Sequence, residues 1–173
     1  MTSPELTRWK VGHKIFTLFI QAALLALHNV EAYFLQGNRH EGILSLRHAA
    51  NMMRMSALAM KYSADFQKGK YESIIRPSMP ERFSGLGSMD HAYLIKVMAR
   101  IKKNKERMQV FFGEEYDDFV ASVQQAYDAH IFVCERFVEK QNSLRSANLH
   151  PAAEVLIEFK IKRLSFIKPK WSG

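Results

Sequence analysis

The sequence has 173 residues and a mass of 20.0 kDa, with 47% hydrophobic and 24% charged residues. That is enough for one compact domain burying roughly two thirds of its extended surface, and too rich in large apolar groups for a fibre or a disordered tail. Twenty-five basic residues against 17 acidic ones give a net charge of +8, which attracts anions whatever the function. The single cysteine, Cys134, excludes an internal disulfide and a clustered-thiolate zinc site. Met1–Leu6 lacks the basic start of a secretory leader, and the apolar run Ile15–Leu27 stops short of a membrane span, so a cytoplasmic protein with no membrane partner is expected.

Taken in chain order, the pattern is helical throughout. Thr7–Gln36 has no proline and spaces Ile15, Leu18, Phe19, Leu25 and Val30 as one apolar face, with Gly37-Asn38 as its stop. Glu41–Phe66 repeats the pattern with Leu44, His48, Met52, Met55, Ala59 and Tyr62 on a face expected to point inward. Between 67 and 89, Pro77, Pro80, Gly85 and Gly87 predict an irregular, packed crossover, either a lid over a pocket or a structural loop. A third helix is expected from His91 to about Phe112, its outer side carrying Lys96, Arg100, Lys102, Lys103, Lys105 and Arg107. Gly113 ends it. A fourth opens on Glu114, Glu115, Asp117 and Asp118, which suit a helix N-terminus, and follows Phe119, Val123, Ala126, His130, Val133 and Phe137 in four-three spacing. A last helix starts at Pro151. The expected fold is all-α, a mostly antiparallel bundle of about five helices in one domain, 1–173.

Chemistry concentrates on few residues. His130 sits on the inward face of the fourth helix and Cys134 one turn later. An inward imidazole can ligate iron or another metal, and a nearby thiol can ligate, attack or tether; a hydrogen-bonded core histidine beside a small apolar cysteine explains the same pair. His28, Glu31 and His48 could share an interhelical cavity, with Glu31 orienting His28 as a general base, or could be solvated helix-end groups. In the crossover, Arg76 or Arg82 could clamp a carboxylate while Asp90 and His91 move protons; Asp90 could equally cap a helix. Glu-x-x-His, H-E-x-x-H, the phosphate-binding loop and the G-x-G-x-x-G loop are absent from the sequence.

H130-I-F-V-C134 resembles the H-x-x-x-C haem motif of some histidine-ligated, haem-dependent aromatic oxygenases, a helical superfamily that includes tryptophan dioxygenase-like enzymes. The resemblance implies haem as cofactor, His130 as its proximal ligand, Cys134 as a thioether attachment and an aromatic substrate. The leading expectation is therefore a small metabolic enzyme, a haem-dependent oxygenase acting on an aromatic, carboxylate-bearing small molecule. One alternative is a noncatalytic binding or assembly protein whose apolar faces form a homodimer. Another is a nucleic-acid binder using the basic stripe, although no specificity-conferring motif accompanies that charge.

Overall fold

The computed structural model describes residues 3–79, 88–137 and 152–170, and every regular element among them is helical. Helix α1, Pro4–Leu35, starts where Ser3 Oγ accepts the Leu6 N–H at 3.1 Å and Pro4 presets the first turn. It ends at Gly37, whose positive φ of 69° turns the chain into α2, Arg39–Ser63, capped by Asn38. The two helices run antiparallel in close contact because their shared face is made of small residues. A Cβ on Gly12 would collide with the Cβ of Ser63, and Ala23, Ala26, Ala49, Ala57 and Ala59 are buried.

The expected faces of both helices hold only in part: Val30 and Ala59 are buried and Met52 packs on the core, but other members turn outward. Leu18 and Leu25 of α1 are 62% and 69% exposed, and Leu44, Met55 and Tyr62 of α2 also face outward. His48 is exposed as well, not inward, because α2 buries Leu46, Ala49, Ala50 and Met53 instead. Several of the large residues had marked the outer side; the buried side combines small residues, which let the backbones meet, with Ile20, Leu27, Leu46 and Met53. Helix α1 is also long and apolar enough to cross a membrane by length and composition, with 39% of its most apolar window buried inside the protein.

The segment expected to be irregular is helical over most of its described length. Helix α3 (Lys68–Lys70), a π-helical turn at Tyr71–Ile75 and α4 (Arg76–Ser78) follow one another, while residues 80–87 lie outside the described residues. Tyr71 stacks on Phe137 at 4.7 Å and meets Trp9 edge-on, closing an aromatic cluster at one end of the bundle. The third expected helix is two: α5, Met89–Ile101, and α6, Lys105–Phe112. Asn104, at φ −124° and ψ 8°, breaks the continuity, and the break lets Lys105 donate to the Ser165 carbonyl at 3.0 Å while Lys102 sits over the Phe166 ring.

Gly113, at φ 68°, ends α6, and the acidic first turn of α7, Glu114–Phe137, begins at once. Helix α7 packs on α2 and on α8, Ala152–Ile167, and α8 returns to α5. The expected seam of α7 is the observed one: Phe119, Val123, Val133 and Phe137 are buried. Tyr116 at its start donates to the Ile167 carbonyl at 2.8 Å, a buried tie between α7 and the end of α8. The basic stripe is not one continuous free surface, since Arg100 pairs with Glu31 and Arg107 covers Phe34.

Candidate active site

Helix α7 carries His130 at a seam position that would otherwise be apolar, so the fold itself delivers an imidazole to the interior. Helix α5 supplies His91 from its first turn, held by the Ser88 side chain, which accepts the His91 N–H at 3.2 Å. Phe16 and Ile20 from α1, Met53 from α2, Leu94 from α5 and Ala126 and Tyr127 from α7 complete an apolar cavity around the two histidines. The cavity encloses about 20 Å³, room for about one water molecule.

Burial dominates the electrostatics. It pushes the His130 imidazole down to about 4, with the neighbouring His91 and His13 adding to the same effect. At neutral pH the ring is uncharged and keeps a lone pair. His13 is lowered too, by burial, although its Nδ1 lies 2.8 Å from the Trp9 carbonyl, a bond that favours the protonated ring. Burial pushes the Cys134 thiol up to about 11, so it is a thiol and not a thiolate at neutral pH, without the nucleophilic or metal-ligating form that thiolate chemistry needs. Cys134 lies close enough to Tyr71 to add to the rise that burial gives the phenol.

The remaining expected site residues do not converge there. His28 and Glu31 do not pair with each other. His28 Nε2 is 3.1 Å from the Tyr93 hydroxyl, and Glu31 takes a bidentate contact from Arg100 at 2.6 and 3.1 Å, so both join α1 to α5. His48 faces outward on α2. Arg76 lies at the start of α4, 3.8 Å from Glu72, and Arg82 lies outside the described residues. His91 does reach the cavity, from a helix and not from a loop.

Two neighbouring residues carried no signal in the sequence: Tyr127, which lines the cavity, and Arg163 beside it. Arg163, on α8, is buried with its guanidinium 4.4 Å over the Phe159 ring and 5.9 Å over the Tyr127 ring. The Tyr127 hydroxyl and one Arg163 Nη are buried side by side, with Arg163 opposing the rise that burial gives the Tyr127 phenol, and neither atom has a fully formed hydrogen bond among the described residues. Unpaired buried polar atoms are costly, so they mark a place where a polar ligand or water is wanted.

A haem at His130 would need a neutral axial donor and a slot for the macrocycle. The donor fits: the imidazole is neutral, helix-borne and ringed by apolar side chains. The slot does not, since the cavity as packed has water-sized room. A metal held by the protein alone fares no better, because no three His, Cys, Asp or Glu side chains among the described residues are grouped to hold one.

Residues 1–115 match the family described as SfmD 3-methyl-L-tyrosine peroxygenase. The 3-methyl-L-tyrosine peroxygenase of Streptomyces lavendulae is 32% identical over 168 residues, which cover 92% of this chain and 46% of that protein. The chain thus spans less than half the length of that relative. Both matches point to an oxygenase for an aromatic amino acid, as the H-x-x-x-C resemblance implied; neither points to tryptophan dioxygenase-like enzymes. No solved structure matches.

Proposed function

This chain belongs to the 3-methyl-L-tyrosine peroxygenase family, and we propose that it takes part in the oxygenation of a tyrosine-like amino acid, with haem as the cofactor. The net chemistry of a peroxygenase places one oxygen atom of a peroxide on the substrate and releases the other in water. The observation that carries the reading is the His91–His130 pair, lining one small apolar cavity on a chain of that family.

The chain's own residues have separable tasks in this reading. His130, neutral at physiological pH, would hold the iron through its free lone pair if haem were bound. His91, which lines the same cavity, would hold or pass a proton to a small polar reactant in this reading. Arg163, buried behind Tyr127 of the cavity wall, would be the cation for a substrate carboxylate in this reading, a role the sequence had suggested for Arg76 or Arg82. A macrocycle reaching His130 has to part the helices around the cavity, because the packed room is too small.

The test is a product assay. The full chain is incubated with haemin, hydrogen peroxide and tyrosine or 3-methyltyrosine, and products are read by mass spectrometry. A peroxide-dependent product heavier by one oxygen, reduced in Arg163→Ala through a raised KM, supports the reading. Absence of any oxygenated product beyond a free-haemin control overturns it. The assembly reading is favoured by a different observation, the apolar outer face of α1 and α2, and is compatible with catalysis.

A further inference from the structure

Arg163 is a buried cation that the helices leave without an acid. It is 9% exposed on α8, and among the described residues no carboxylate pairs with it. Asp128, the acid next to Tyr127 on α7, is taken by Lys160 at 2.5 Å. The face of the guanidinium is used, since it lies 4.4 Å over the Phe159 ring and 5.9 Å from the centre of the Tyr127 ring. Its edge is not. Nη1 is buried beside the hydroxyl of Tyr127, a residue only 6% exposed, and neither atom has a fully formed hydrogen bond among the described residues.

We propose that Arg163 and Tyr127 form a carboxylate-binding site between α7 and α8. Hydrogen-bond chemistry sets the class of ligand. A guanidinium only donates, whereas a phenol donates one proton and also accepts. Were Arg163 to donate to Tyr127, the phenol's own proton and the second Nη1 proton would still lack an acceptor. What is missing is therefore an acceptor and not a donor. A water would fill that role and leave a buried positive charge uncompensated, which is unfavourable. A carboxylate supplies two acceptor oxygens and the opposite charge at once, and the edge of a guanidinium is shaped to meet it. Tyr127 also belongs to the wall of the His91–His130 cavity, so the site adjoins the candidate active site. The proposal deepens the oxygenase reading and rests on it only for the identity of the acid. In that reading the carboxylate is the amino acid substrate's; otherwise it is that of a free small acid.

A binding arginine and a purely structural one respond differently to removal. An arginine that already ties the fold together destabilises the chain when it is lost, with or without ligand. An arginine that lacks its anion leaves an unmet charge in the free chain, so an apolar side chain of similar length in its place is neutral or stabilising. Methionine is suited to that exchange, because it is flexible and packs well on the rings of Phe159 and Tyr127. A ligand that binds only the folded chain then adds stability that depends on the arginine.

Thermal unfolding of the full chain at neutral pH and fixed ionic strength, without haem or peroxide, tests it. The added molecules are acetate, its uncharged isostere acetamide, tyrosine, and tyramine, which is tyrosine without the carboxylate. Acetate at ten times its dissociation constant should raise the melting temperature by about 3–6 °C, and acetamide should not. Arg163→Met should abolish that rise while leaving the ligand-free melting temperature within about 2 °C of the wild type or above it. Tyr127→Phe, which keeps the cation, should weaken acetate binding about tenfold. A rise with tyrosine at lower concentration than with acetate, and none with tyramine, supports the site with the substrate's carboxylate as its ligand. A rise with acetate alone supports it with a free small acid. No rise with either acid, equal rises with acetate and acetamide, an acetate effect that survives Arg163→Met, or an Arg163→Met chain that melts equally lower with and without acetate would each overturn the proposal. Absence of oxygenated product in the assay above would count against the oxygenase reading and not against this site, since acetate binding needs neither haem nor peroxide.

Discussion

Helix α7 and the α1–α2 hairpin carry the same four-three apolar spacing and use it oppositely. On α7 the stripe is the interior: Phe119, Val123, Val133 and Phe137 are buried, and the one polar member, His130, becomes the candidate site. On α1 and α2 Leu18, Leu25, Leu44 and Leu58 lie outside, and the interior face mixes Ala, Ser and Gly at the close approach with Ile20, Leu27, Val30, Leu46 and Met53. The difference teaches that periodicity locates a seam without saying what covers it. Where two helices approach closely, small residues take the contact and large ones point away. A polar residue in either stripe then has a different setting: His130 lines the interhelical cavity, while Asn51 is exposed.

Substitutions can break this comparison in graded steps. Phe119→Ala, in the covered seam, should lower unfolding free energy by about 3–5 kcal/mol, read by urea denaturation. Leu18→Ala, at concentrations where the chain is monomeric, should change it by no more than about 0.5 kcal/mol. Equal losses would mean that the α1 stripe is covered within one chain. Acid should act next most strongly, through His130. In the unfolded chain this histidine binds its proton near pH 6.5 and in the folded chain only near 4. Falling pH therefore favours unfolding across that window, by up to a few kcal/mol. His130→Leu should flatten the pH dependence between 6.5 and 4, and an unchanged slope would show that the ring is solvated.

Smaller effects follow at the ties between helices. Tyr116→Phe leaves the Ile167 carbonyl without its buried donor and should cost about 1–3 kcal/mol, measured by the same denaturation. Glu31→Gln loosens only a partly exposed pair with Arg100 and should cost about 0–1 kcal/mol, lost in high salt. If Glu31→Gln cost more than Tyr116→Phe, the α1–α5 contact would be a structural centre and not a surface link.

Much of the fold was legible in the sequence, and less of the site. The all-α class, the turn at Gly37, the stop at Gly113 and the whole α7 seam follow from spacing and punctuation that the structure keeps. The faces of α1 and α2 did not, because large residues were weighted and the Gly12–Ser63 contact depends on which helix lies opposite. The break at Asn104 has no proline or glycine to announce it; the reach of Lys105 to α8 accompanies it. At the site, His130 stood out as a polar member of an apolar row and His91 as a titratable residue. Arg163 and Tyr127 were invisible, since an inward arginine on a helix rich in basic residues looks like any solvated one until the rings of Phe159 and Tyr127 are seen beneath it.

That His130 is the residue on which the chemistry turns is tested most directly by titrating the full chain with haemin and following the Soret band. The predicted result is a saturable shift that is lost in His130→Ala and kept in His48→Ala, whose imidazole lies on the outer face. A chain that leaves the haemin spectrum unchanged, or one whose His130→Ala variant gives the same shift as the wild type, would contradict it.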